Sequence, residues 1–161
     1  MLGRMFVRYY NDIELPFEVV ERAVVDAPER WLPAIASDAE WKGNRLLTEV
    51  GFDAGKLRVE SGVTVEFGVP QRLGGRTIVP MTWAPLDARR LFPRLEADIE
   101  LSAFGSARSQ LAISARYHPP LGVVGRVVDR TMLHLVAEAT IKDFLDRVAQ
   151  NLEERSLATP G

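Results

Sequence analysis

The chain has 161 residues, 47% hydrophobic and 26% charged, proportions of one globular domain long enough to bury a core without staples. Its 22 acidic and 20 basic residues leave a formal charge of −2, so no basic excess exists to hold phosphates and a nucleic-acid partner is not expected. The absence of cysteine excludes disulfides, iron–sulfur clusters and thiolate zinc sites, and fits a reducing cytoplasm.

The N-terminus moves from Met1-Leu2-Gly3-Arg4-Met5 straight into an alternating segment, neither a signal peptide nor an anchor. No apolar run approaches the roughly 20 residues of a bilayer span, so no stable membrane insertion is expected. From Phe6 to Leu15, Val7, Tyr9, Ile13 and Leu15 alternate with Arg8, Tyr10, Asp12 and Glu14. That period of two predicts a half-buried strand, ended by Pro16, which suits the first turn of a helix. Phe17 to Val25 predicts a short helix with Phe17, Val20 and Val24 on one side. Asp26-Ala27-Pro28-Glu29 restarts a second short helix, with Trp31, Leu32, Ile35 and Ala36 as its stripe and Trp41-Lys42-Gly43-Asn44 as its close.

Strands are expected next. Leu46 to Phe52 reads as a short one ending at Asp53-Ala54-Gly55. Lys56 to Phe67 alternates, with Leu57, Val59, Ser61, Val63, Val65 and Phe67 facing one way and Gly62 marking a bulge or bend. After a turn at Leu73-Gly74-Gly75-Arg76, Thr77, Val79, Met81 and Trp83 form an apolar row. Pro80 inside that row demotes the strand to an edge or a bulged position. Leu95, Ala97, Ile99 and Leu101 make another row, Gly105-Ser106 turns the chain, and Leu111, Ile113, Ala115 and Tyr117 follow. At least five strands are thus apolar on one face and polar on the other, the pattern of an antiparallel sheet wetted on one side. The intervals are turns and not crossover helices, which disfavours a doubly wound parallel sheet.

After His118-Pro119-Pro120 the chain reads as one long apolar helix to about Glu154. On a wheel of about 100° per residue, Val124, Val128, Met132, Leu135, Val136 and Ala139 share one side, and Ile141, Phe144, Leu145, Val148 and Leu152 the nearly opposite one. Two buried faces imply either a bend near His134 to Thr140 or a sheet and a cavity touching different sides. The whole is a single α+β domain over 1–155, with 156–161 as a short frayed tail.

This order resembles the helix-grip superfamily: a curved antiparallel sheet, two short helices after the first strand, and one long C-terminal helix closing a cavity. The superfamily includes START lipid-transfer domains, the birch-pollen allergen and polyketide cyclases. Tyr117-His118-Pro119-Pro120-Leu121-Gly122, Gly125-Arg126, Asp129-Arg130, Leu133-His134, Val136-Ala137-Glu138-Ala139-Thr140 and Asp143-Phe144-Leu145 are similar to the closing element of a bacterial branch. Leu91-Phe92-Pro93 and Asp98-Ile99-Glu100-Leu101 also resemble segments of that branch. The resemblance implies a cavity between sheet and helix for a hydrophobic or amphipathic small molecule of lipid, polyketide or isoprenoid type. It is more specific for fold than for chemistry.

If the inward rows line such a cavity, Phe67, Met81, Trp83, Ile113 and Tyr117 meet Met132 and Val136 across it. The alternative is that these side chains touch and fill the core. His134 and Glu138, one helical turn apart, form the one attractive acid–base pair for a cyclase, dehydratase or hydrolase using the same cavity, and equally form a surface pair. His118 before two prolines reads as a turn former. Two histidines without cysteine, and no His-Glu-x-x-His spacing, give no metal site. No phosphate loop and no Gly-x-Ser-x-Gly elbow occur, and no cofactor is expected. Trp31 and Trp41 either cover the end of the sheet, the reading taken here, or gate the cavity. A third class, an interaction module working through a sheet edge or an outer helix face, requires exposed apolar surface. A cytoplasmic monomer or homodimer is expected.

Overall fold

In a computed structural model of the protein, residues 5–26, 28–49, 63–85, 94–118 and 130–158 are described. Strand β1 (Met5–Ile13) buries Val7 and Ile13 and leaves Arg8, Tyr10 and Asp12 in solvent. The Pro16 carbonyl then accepts the N–H groups of Val19 and Val20 at 3.1 and 3.2 Å, opening helix α1 (Phe17–Asp26), which buries Val20 and Val24. A 3₁₀ turn at Pro28–Arg30 leads to α2 (Leu32–Glu49).

Helix α2 departs from expectation. It is 18 residues long, not short. It passes through Gly43 and takes up Leu46 to Glu49, where a strand was expected. An interior glycine costs about 1 kcal/mol against alanine, too little to end a helix when Arg45-Leu46-Leu47 are good helix formers and no proline follows. Residues 50–62 lie outside the described set, and with them the rest of that expected strand, Gly62 and the first half of the Lys56 to Phe67 strand.

The remaining strands are β2 (Val63–Phe67), β3 (Gln71–Arg72), β4 (Arg76–Pro85), β5 (Arg94–Ala103) and β6 (Ser109–His118). They join β1 in one antiparallel sheet of order β1-β6-β5-β4-β2, with β3 also on β4. Between β3 and β4, Gly74 and Gly75 take φ of 44° and 70°, the paired positive angles of a two-residue hairpin turn that glycine reaches without strain.

Pro80 is not on an edge strand; its ladder with β5 is continuous, and the one on its other side is interrupted. Strand β4 is flanked by β5 on one side and by β2 and β3 on the other. The register passes from Phe67↔Met81 to Gln71↔Ile78, so three residues face two, which is a bulge. The Pro80 carbonyl accepts the Gly68 N–H at 2.8 Å, and the missing proline N–H falls in the gap between β2 and β3, where no ladder bond is lost. A side chain at Gly68 would bring its Cβ to 2.9 Å from the Pro80 Cβ, so the bulge needs glycine for close approach.

Helix α3 (Arg130–Ala158) has 29 residues and spans about 43 Å at about 1.5 Å per residue. It continues past the expected end at Glu154, because no breaker occurs before Pro160, whose ring disfavours helical geometry one residue earlier. Residues 159–161 and 119–129 lie outside the described set. The helix packs against α2, β1 and β6. Among the described residues the helix buries one broad stripe, including Val136, Ala137, Ile141, Phe144, Leu145, Val148, Ala149 and Leu152; Val124, Val128 and the Met132 side chain, expected on the other face, lie outside the described set. Leu135, placed with Val136 by the sequence reading, is 58% exposed; adjacent residues stand about 100° apart, and only Val136 turns inward. The element order and sheet order are those of the helix-grip arrangement, and the fold class is α+β.

One buried contact between α3 and the sheet is Trp83 on Phe144, ring centroids 5.3 Å apart at 58°. Truncating Phe144 leaves a cavity beneath a buried indole. Phe144→Ala therefore lowers the unfolding free energy by about 3–5 kcal/mol, measured by urea denaturation with an unchanged far-UV spectrum in native buffer.

Candidate functional site

The candidate site is the concave sheet face under α3. Antiparallel register sets its inward residues in rungs. The first described rung runs Tyr117–Leu95–Trp83–Val65, and the second Val7–Ala115–Ala97–Met81–Phe67. The third runs Tyr9–Ile113–Ile99–Val79, and the fourth Asn11–Leu111–Leu101–Thr77. Each strand contributes every second residue because its side chains alternate between faces.

Five expected binding residues, Phe67, Met81, Trp83, Ile113 and Tyr117, fall on this one face. Met81, Trp83, Ile113 and Tyr117 are buried, while Phe67 is half-buried beside Met81. Val136 is buried on α3. Met132 lies within the first turn of α3, and its side chain is outside the described set, as is that of His118. The sequence reading missed three residues here. Phe144 packs its ring on that of Trp83. Ala97 and Ala115 stand side by side in the two central strands, flanked by rungs of larger side chains. Their small size was visible in the sequence, but their adjacency depends on the β5–β6 register.

Polar groups frame the apolar stripe of α3. On the β1 flank, the Tyr9 hydroxyl donates to Asp146 Oδ1 at 3.2 Å and Asn11 Nδ2 donates to the same oxygen at 2.9 Å. Lys142 Nζ donates to Asp146 Oδ2 at 2.9 Å and stands 5.6 Å from the Tyr9 ring centre. Partial burial and then the Asp146 charge push the Tyr9 phenol above its ordinary value, and the Asp146 bond and charge raise the Lys142 ammonium. On the α2 flank, Asp143 meets Lys42 at 3.0 Å and Arg147 at 2.6 Å, and Arg147 also reaches Asp38 at 3.8 Å.

His134 Nε2 lies 3.6 Å from Glu138 Oε1, with side chains 39% and 53% exposed. The separation exceeds a hydrogen bond, and both groups reach solvent. This is the geometry of a surface pair. Trp31 is buried, donates its Nε1–H to the Ala23 carbonyl at 3.2 Å, and lies under the Arg155 guanidinium at 5.0 Å. Trp41 is exposed on α2. Among the described residues no helix is long and apolar enough to cross a membrane.

No family model and no curated protein sequence matches the chain. Solved structures do resemble it in fold. The ZhuI aromatase/cyclase of Streptomyces sp. R1128 is 16% identical, with 96% of each chain covered and a TM-score of 0.42. A conserved protein of Geobacillus kaustophilus is 14% identical over 91% of this chain and 94% of its own, with a TM-score of 0.49. Ara h 8.0201 is 11% identical over 93% and 98%, with a TM-score of 0.48. The likeness is one of chain path alone, and no residue role passes from those proteins to this one.

The α2–α3 contact carries a pH dependence. Burial by itself would raise the Asp143 carboxyl, but hydrogen bonds from Lys42 and Arg147, with their charges, outweigh it and hold the group below its ordinary 3.8. A carboxyl depressed in the folded state contributes stability above its unfolded value and loses it as pH falls through the lower folded value. Asp143→Asn is therefore less stable than the parent at neutral pH, and the gap closes below the ordinary carboxylate range. Urea midpoints for both proteins, at neutral pH and at about pH 3, measure the change.

Proposed function

We propose that the protein binds a hydrophobic or amphipathic small molecule, of lipid, polyketide or isoprenoid type, between the concave sheet face and α3. The observation that carries this reading is the Ala97–Ala115 pair in the central strands. Leucine and aromatic side chains stand on one side of it and paired isoleucines on the other. Two methyl groups in that row leave a depression in an otherwise tall apolar surface. Met81 and Phe67 continue the same rung, and thioether and aromatic walls adapt to apolar guests. Affinity comes mainly from apolar burial, at about 25 cal/mol per Å². Tyr117 and Trp83, on the adjoining rung, supply polar tips able to orient a guest. Met132 and Val136 are the helix-side candidates.

A second reading is a cyclase, dehydratase or hydrolase using the same face. It requires an acid or base beside the guest. The solvent-reaching positions of His134 and Glu138 favour binding without turnover. The lack of cysteine fits the reducing cytoplasm in which we place the protein.

Native mass spectrometry of gently purified protein and titration with anilinonaphthalene sulfonate or a dansylated fatty acid test the proposal. Saturable binding is expected, and Ala97→Phe, which fills the depression, is expected to abolish it while costing about 1–3 kcal/mol of stability through overpacking. Equal probe binding by parent and a folded Ala97→Phe protein removes this face as the site.

A further inference from the structure

Strand β1 ends the sheet. Among the described residues no strand lies beyond it, and its outward row is open, with Phe6 56% and Tyr10 62% exposed and Arg8 and Asp12 also in solvent. Among the described residues β6 is its one strand neighbour, so the backbone N–H and C=O groups on its other edge have no ladder partner there and can accept another strand. Edges are commonly protected by proline, a bulge, a very short strand, charged side chains or a covering helix or loop. Here β1 has nine residues without proline, and its register with β6 is unbroken from Met5↔Tyr117 to Ile13↔Ser109. Its only two charged residues are one cation and one anion, Arg8 and Asp12.

We propose that β1 pairs antiparallel with β1 of a second copy about a two-fold axis through Tyr10. In that register Tyr10 faces Tyr10, and Arg8 of each copy faces Asp12 of the other. Each charge of the strand is thereby met once, giving two ion pairs per dimer, and opposite charges directly across a ladder are favourable. Other centres fail on the same row. An axis at Arg8 opposes two guanidiniums, and one at Asp12 opposes two carboxylates. An axis at Tyr9 or Asn11 leaves Asp12 facing an aromatic ring. An interface of this kind is isologous and closes at two copies. It uses the edge and outer face of β1, while α3 covers the inner side, so it is independent of ligand binding.

The cysteine-free chain makes the register directly testable. Directly opposed residues in an antiparallel pair have Cα atoms about 4.5–5.5 Å apart, within the roughly 4.4–6.8 Å of a disulfide. Tyr10→Cys is expected to give a disulfide-linked dimer under mild oxidation. Arg8→Cys is not, because its two copies lie about 14 Å apart along the ladder. Both positions face solvent, so neither change threatens the fold. In sedimentation equilibrium, Asp12→Arg is expected to weaken the dimer roughly tenfold or more, and Arg8→Asp with Asp12→Arg to restore it. A parent protein that stays monomeric into the millimolar range overturns the proposal. So does cross-linking of Arg8→Cys as readily as Tyr10→Cys, or a double charge swap that fails to recover association.

Discussion

The structure depends on one constraint: the inward rows of the strands must arrive opposite one another. A slip of one residue in any strand would turn its whole apolar row into solvent. With the register held, Tyr117, Leu95, Trp83 and Val65 form a continuous bar, and Trp83 is placed where Phe144 of α3 meets it. The bulge opposite Pro80 is where this alignment is most at risk. Gly68 lets the backbones close there, and the proline's lost donor falls where β2 has ended and β3 has not begun. A residue hostile to strands is thus absorbed without moving Met81 or Trp83 from the inner face.

Helix α3 is buried over an unusually wide arc. From Val136 to Ala149 its buried positions cover roughly 220° of the wheel at about 100° per residue. A flat sheet covers much less of a helix. Here β1, β6 and α2 share the contact, and the remaining strip carries the pairs Lys142–Asp146 and Asp143–Arg147. The exposed Lys142–Asp146 pair contributes about 0–1 kcal/mol, whereas Asp143, its side chain 13% exposed, is held by both Lys42 and Arg147. The stabilising weight lies in the apolar burial between them.

The two sides of the sheet differ in chemistry. The inner face is apolar and packed under α3, with the small side chains of Ala97 and Ala115 between rows of larger ones. The outward row of β1 carries exposed Phe6 and Tyr10 with one cation and one anion, Arg8 and Asp12. Alternation along β1 separates them: Val7 and Ile13 are buried, while Arg8, Tyr10 and Asp12 are exposed.

Strand alternation, the paired glycines at Gly74 and Gly75, Pro16 opening α1 and the antiparallel arrangement could all be read from the chain, because each is a local preference expressed within a few residues. The inner-face positions of Met81, Trp83, Ile113 and Tyr117 followed from the same alternation. The length of α2 could not be read, because Gly43 and the segment after it sit close to balance between helix and strand, and such a balance is decided by packing. The side of α3 that turns inward, the pairing of Ala97 with Ala115, the seat of Pro80 and the meeting of Trp83 with Phe144 were likewise decided only in the folded molecule. Each depends on which distant residue arrives opposite, and sequence periodicity specifies a face of an element without specifying its partner.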